Sequence, residues 1–464
     1  MEGQKPLDDK KFNGAQREVD TLITGALVLT MDRDHRILED GAVAVEGGLI
    51  LEVGPSRELE ERYRARRLVD ARRKLVMPGL INAHTHAPMN IFRGFADDLP
   101  LDAWLFDHIF PLEAQFVNAS NVRLGTRLAI AEMLRSGTTT FNDMYFHTDV
   151  MAEEVDRAGV RAILTHALLD KPAHNGSSLD ENLHMVEEIM QQYKSHQRIG
   201  MGFAVHAPYS ARPPVYRKAK ELADKYSTQL HTHLSETVWE VETIQREYGR
   251  SPVGHLDNIG VLGPNVVAAH AIHLTPRDME ILAHRQVGVA HNPQCNMKLA
   301  NGSAPIPALL KMGVKVGIGT DGVASNNDLD LFDEIRSAAL AQKLVSGDPT
   351  VMDARTVLET VTLGGARLLG MEDRIGSLES GKQADLIVID LGQPHAWPHF
   401  DIYSLIVYSL RGSDVESVMV RGRILMEDRQ LQTIDASLLY DDVMALRDQI
   451  RHWWTARSRT RTGA

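Results

Sequence analysis

A single cysteine, Cys295, stands among the 464 residues. An internal disulfide is therefore impossible, and so is a metal site built from clustered thiolates. Long apolar runs are missing too, and none approaches the length of a membrane span. The opening stretch, MEGQKPLDDKKFNGAQRE, is polar and lacks the apolar centre of a secretory signal. A cytoplasmic location without membrane contact is expected. Positive charge is in deficit: 50 Lys and Arg stand against 62 Asp and Glu, a formal net charge of -12. Such a surface repels phosphate backbones, which argues against nucleic acid as a partner. The local exception is the C-terminal end, with Arg451, Arg457, Arg459 and Arg461, where a solvated tail is expected.

What is present is an ordinary globular composition, 43% hydrophobic and 24% charged, enough to build a large core. Roughly 150 residues per domain would give about three domains, but barrel enzymes run longer as one unit. Residues 1–18 read as a flexible arm. Residues 19–75 alternate apolar and polar positions with glycine punctuation, in TLITGALVLTMD, GAVAVEGGLILEVG and RRLVDA, the pattern of short strands. A similar pattern returns within 376–432, in QADLIVIDL and VESVMVRGRILMEDR. The expectation is one small composite β-sandwich built from both segments, with residues 76–375 inserted between them. Residues 433–464 should form a C-terminal helix, periodic from Ile434 to Trp454, and a tail.

The inserted middle alternates short apolar runs with helical stretches, the βα pattern of a parallel sheet. Eight runs qualify as strands: 80–86, 138–144, 161–167, 199–206, 229–233, 266–271, 286–291 and 315–321. Between the first two, SNVRLGTRLAIAEMLRSG predicts a helix with Ser120 as N-cap and Gly137 as stop. Eight such units predict an α/β fold, a (β/α)8 barrel. Each run ends on or near a polar residue: His84 and His86, Asp143, His166, His206, His233, His270, His291 and Asp321. In a barrel these ends converge on one mouth. One such histidine is ordinary packing, whereas a ring of them points to chemistry.

His84-Thr85-His86 places two imidazoles at i and i+2, on one face of a strand. His231-Thr232-His233 repeats the pattern on the fifth run, with His233 as ligand; His231 is ambiguous between ligation and a structural part, and the structural part is the expectation. Asp321 adds a carboxylate. Three imidazoles and a carboxylate suit zinc or ferrous iron rather than calcium or magnesium. Such a metal lowers the pKa of bound water toward ~7. Glu236, three residues beyond His233, is the candidate acid–base, although a glutamate there also suits a helix N-terminus.

MPGLINAHTHAPMNIFRGFADDLPLDAWLFDHIFPLEAQF (77–116), HAPYS (206–210), HTHLSET (231–237), AAHAIHL (268–274), HNPQCNMKLANGSAP (291–305), GIGTDGVASNNDLDLF (317–332) and IGSLESGKQADLIVIDL (375–391) follow one another in order. Together they resemble the amidohydrolase superfamily, and within it the 5-methylthioadenosine/S-adenosylhomocysteine deaminases. The resemblance covers nearly the whole chain after residue 19. It implies one zinc per chain, or ferrous iron, on His84, His86, His233 and Asp321. It implies Glu236 as proton shuttle, His270 as the group orienting the attacking water, and Asp321 as acceptor of that water's proton. Glu113 and His206 match substrate-contacting positions, with Glu236 and Asp321 also touching the substrate. From the residues alone Glu113 would be a solvated helix-start glutamate; accepting hydrogen bonds from ribose hydroxyls is what the resemblance adds.

The implied reaction is hydrolytic deamination at adenine C6, with Glu236 protonating N1, giving an inosine derivative and ammonia. The logic parallels nucleobase deaminases that use H-x-E with P-C-x-x-C, a motif one cysteine cannot supply. Some members carry arginines in the loops near the 5′ substituent. The matching stretch here, LLDKPAHNGSSLDENLH, has only Lys171 as a cation. Methylthioadenosine or adenosine is therefore expected to serve as well as S-adenosylhomocysteine. Two other readings stay open: an s-triazine or other heterocycle aminohydrolase or chlorohydrolase, and a non-catalytic homologue. A small-molecule nucleoside and self-association into a homo-oligomer are the expected partnerships.

Overall fold

The computed structural model describes residues 16–170 and 178–462. Eight strands, Leu80–Thr85, Thr138–Tyr145, Arg161–Leu168, Ile199–Val205, Leu230–Leu234, Val266–His270, Gly288–His291 and Val316–Ile318, lie side by side in chain order. Every neighbouring pair is parallel. The eight expected runs are thus the eight strands. The second and third are buried at every position, which is why they read as unbroken runs rather than as alternation. The ring closes between the eighth strand and the first. Asp321 N–H donates to His84 O at 3.0 Å. The Asn82 side chain donates to Thr320 Oγ1 at 2.8 Å and accepts from Thr320 N at 3.2 Å, standing in for ladder bonds. Gly319 permits this approach, because a β-carbon there would lie 2.6 Å from both His84 N and His84 O.

The helix between the first two strands spans Ala119–Arg135, and its N-cap is Asn118, not Ser120. Asn118 is extended, which carries its side chain over the first turn to accept from Asn121 N at 3.1 Å. Ser120 already lies inside the helix. The helix stops at Arg135, and Gly137 follows with φ +87°.

The β-rich ends meet in one nine-stranded mixed sheet. The seam is Lys74–Pro78, which runs antiparallel to Leu386–Asp390. Ile23, Val43, Val76, Leu386 and Val388 share one apolar cluster, so both termini of the barrel are held in a common core. The first strand begins at Arg17, pairing with Tyr63, so residues 17 and 18 belong to the sheet rather than to an arm. The rest of the expected arm, residues 1–15, lies outside the described residues, as does Lys171. Arg161, fully buried at the start of the third barrel strand, donates to Asp385 at 2.8 Å and ties barrel to sheet.

The C-terminal helix runs Ala436–Thr462, past Trp454 into the expected tail. Leu439, Leu446 and Ile450 are its buried positions. Trp454 packs edge-on against Phe95, with ring centres 4.8 Å apart, and Trp453 against Phe116 at 5.5 Å. The helix therefore braces residues 92–116, one wall of the barrel mouth. No helix of the described residues is long and apolar enough to cross a membrane.

Candidate active site

The strand ends converge as their order requires. Ligand atoms of His84, His86, His233 and Asp321 lie within 4.8 Å of one another, the one such cluster among the described residues. Asp321 Oδ1 is 3.2 Å from both His84 Nε2 and His86 Nε2. Each imidazole is oriented from behind. His86 Nδ1 donates to Met144 O at 2.6 Å, and His233 Nδ1 to His206 O at 2.7 Å. Their Nε2 atoms therefore face each other, 3.2 Å apart. That contact is repulsive unless a proton or a cation sits between them. His84 Nε2 is fully buried, facing the Asp321 carboxylate. His231 Nε2 touches His84 Nδ1 at 3.0 Å, the structural part expected of it.

Burial pushes His84 down to about 4 and His233 well below its usual range, so both are neutral, ligand-ready imidazoles. Burial alone would lower His86 as well, but the hydrogen bond and charge of Asp321 overcome it and raise the ring to about 9. Burial would raise Asp321, yet its bonds to His84 and His86 hold the carboxyl well below its ordinary value. Three imidazoles and one carboxylate, with their ligand atoms gathered within 4.8 Å of one another, fit a zinc or ferrous ion.

Around this cluster stand the proton-handling candidates. Glu236 follows the fifth strand through Ser235, whose φ is +52°. Glu240 fixes that turn by accepting from Ser235 N at 2.9 Å and Glu236 N at 2.8 Å. Burial pushes the Glu236 carboxyl up. Its Oε2 lies 3.8 Å from His270 Nε2. His270 ends the sixth strand in a left-handed conformation, φ +72°. His206 is held by Ser210 Oγ at 2.9 Å from its Nδ1, and burial pulls its ring down to about 4. The remaining members of the expected ring, Asp143, His166 and His291, are not part of the metal cluster. Asp143 instead accepts from Ala87 N at 2.6 Å, and burial raises it to about 7.

His86, His206, His233, Glu236, His270 and Asp321 line one cavity. Leu101, Trp104, Leu105, Met144, Phe146 and Leu299 make most of its wall apolar. Glu113 lies in this wall on the helix Phe110–Phe116, 6% exposed, and accepts from Tyr145 Oη at 2.7 Å. It is buried, not the solvated glutamate its position in the sequence implied. The preceding residues Trp104–Ile109 form a π-helical turn, a local widening common at functional sites.

Residues 75–425 match the amidohydrolase family, and residues 41–65 an imidazolonepropionase-like composite domain of bacteria. The chain is 47% identical over 425 residues to a 5-methylthioadenosine/S-adenosylhomocysteine deaminase of Syntrophobacter fumaroxidans, covering 92% of this chain and 96% of that protein. It is 42% identical over 433 residues to a 5′-deoxyadenosine deaminase of Methanosarcina acetivorans, covering 93% and 98%. An adenosine deaminase from Xanthomonas campestris, crystallised with bound zinc, superposes with a TM-score of 0.93 at 40% identity, over 94% of this chain and 100% of that one. Atrazine chlorohydrolase from Arthrobacter aurescens, at 24% identity and a TM-score of 0.85 over 92% and 100%, shares the fold. This chain belongs to the amidohydrolase family.

Proposed function

We propose that the protein is a zinc-dependent deaminase of 5′-substituted adenine nucleosides, converting the adenosine moiety to inosine and releasing ammonia. The observation that carries this reading is the placing of Glu113. A buried carboxylate in the mostly apolar wall of the cavity that His86, His233 and Asp321 also line is suited to accept from a ribose diol. A triazine has no such diol. The deaminases named above and the zinc-bound neighbour support the same chemistry.

His84, His86, His233 and Asp321 would hold the zinc, which supplies a Lewis acid that makes water nucleophilic near neutral pH. The chain's own groups then handle the protons. Glu236, whose carboxyl burial pushes up, donates to adenine N1, which makes C6 electrophilic. His270 and Asp321 flank the side from which water must approach, and Asp321 takes up the proton that water loses. As the C6–N bond breaks, Asp321 passes that proton to the leaving amine, the new C6 hydroxyl returns a proton to Glu236 as it becomes the carbonyl, and ammonia departs. Among the described residues no Lys or Arg lines the cavity. An uncharged methylthio group suits these walls better than a homocysteine carboxylate.

The test is ammonia release from methylthioadenosine, S-adenosylhomocysteine, adenosine, guanine and a chlorotriazine. The expected order places methylthioadenosine first. Turnover of the triazine with none of the nucleosides would overturn the reading.

A further inference from the structure

One segment reaches all three proton-handling groups. It follows the seventh strand as the short helix Pro293–Lys298. Glu334, fully buried, anchors its start by accepting from Gln294 N at 3.2 Å. Its end reverses sharply. Ala300 has φ +53° and Gly302 φ +111°, and between them Asn301 N donates to Asn296 O at 2.9 Å. Left-handed backbone at a non-glycine residue is held only where its surroundings impose it.

Three side chains leave this segment for three different partners. Cys295 Sγ donates to Asp321 Oδ2 at 2.8 Å. Ser325 Oγ donates to the same oxygen at 2.9 Å, so Oδ2 is occupied and Oδ1 is left facing the imidazoles. Asn296 Oδ1 accepts from His270 Nδ1 at 2.9 Å, which turns the Nε2 lone pair toward Glu236 and the cavity. Asn301 Nδ2 donates to Glu236 Oε1 at 3.0 Å, leaving Oε2 as the atom nearer His270.

Packing alone does not account for this. The Asn296 Nδ2 atom is buried without a partner. An amide that leaves one buried donor unmade is a poorer core residue than a leucine of similar shape. What asparagine supplies at 296 is an acceptor aimed at His270.

We propose that residues 295–301 are the positioning element of the site, in which Cys295, Asn296 and Asn301 orient Asp321, His270 and Glu236 through single hydrogen bonds. They are positioning residues, acting through the groups they hold. The inference rests on the roles proposed above for those three groups. Partners of this kind set ligand and acid–base geometry, and their loss commonly costs about 10- to 100-fold in activity or metal affinity.

The test compares Asn296→Leu, Asn301→Leu, Cys295→Ala and Cys295→Ser with wild type. Turnover is measured on whichever compound of the panel wild type converts, so a wrong substrate assignment does not touch the result. Zinc per chain, the rate of zinc loss to a chelator and the melting temperature are measured alongside. The two asparagine variants are expected to lose about 10- to 100-fold in kcat, with KM within about twofold, zinc retained and melting little changed. Cys295→Ala is expected to lose zinc about tenfold faster, and Cys295→Ser to restore the wild-type rate. Asparagine variants with kcat within about twofold of wild type would overturn the proposal. So would a fall in kcat matched by equal losses of zinc and melting temperature, the mark of a packing role. If Asn296→Leu does not fold, the partly exposed position 301 decides. Asn301→Asp keeps the shape and removes the donor, so an unchanged kcat there overturns the proposal and a lowered one supports it.

Discussion

Replacing Glu113 by glutamine removes the charge and one acceptor oxygen. The side chain keeps its shape, and its amide oxygen can still accept from Tyr145 Oη, now 2.7 Å from Oε1. What is lost is one of two bonds from ribose hydroxyls and the charge behind the other, because the amide oxygen has one lone pair left beside Tyr145 and the amide nitrogen cannot accept. A hydrogen bond to a charged acceptor contributes about 1.5–3 kcal/mol and a neutral one about 1 kcal/mol. Losing one charged bond, about 2 kcal/mol, and weakening the other by about 1 kcal/mol gives about 3 kcal/mol for the diol, or about 150-fold in kcat/KM. Steady-state ammonia release with methylthioadenosine measures it. The control is a 2′,3′-dideoxy nucleoside, which has no diol for Glu113 to bind. Its kcat/KM should be the same in wild type and variant. An equal loss on both substrates would refute the ribose assignment and make Glu113 a structural support, and no loss on either would remove it from recognition altogether.

Further outcomes follow from the same geometry. Glu236→Gln should lower kcat by about 10²- to 10⁴-fold while zinc stays at wild-type stoichiometry; loss of zinc would make Glu236 part of the metal site instead. In the metal-free chain His86 keeps its proton up to about 9, so zinc must displace it. Zinc affinity should therefore rise about tenfold per pH unit below that value and level off above it, as read by chelator competition; a flat profile would contradict the pairing. The metal-free fold should respond in the opposite sense. The His86–Asp321 pair stabilises fully below the ordinary histidine value of 6.5, and that stability is lost as pH rises through about 9. Asp385→Ala leaves Arg161 buried without its carboxylate, which should cost about 3–5 kcal/mol in urea denaturation; a cost under about 1 kcal/mol would refute the tie between barrel and sheet.

The parts of the site that periodicity can reach were legible in the sequence. His84, His86, His233 and Asp321 lie at or just beyond the ends of strands whose order alone brings them together. Spacing alone did not separate His231 from His233, since His84 and His86 share the same i and i+2 relation and both join the cluster; it is the contact of His231 with His84 Nδ1 at 3.0 Å that sets it apart. The N-cap was misplaced by two residues, since Asn118 and Ser120 are both good caps and only the extended backbone at 118 decides between them. The burial of Glu113 was not legible, because it depends on Tyr145 from the second strand and on the C-terminal helix closing over residues 92–116. Nor were Asn296 and Asn301, although their motif was visible. Their reach depends on the chain reversal at residues 300–302, which no apolar pattern encodes.

The central claim is that four residues hold one metal on which nucleoside deamination depends. Its most direct measurement is ammonia release from methylthioadenosine by protein stripped with a chelator and titrated with zinc. The account predicts no turnover without metal and full recovery at one zinc per chain, with no recovery in His84→Ala. Turnover in the stripped protein would contradict it, as would a fully loaded protein that leaves every adenine nucleoside intact.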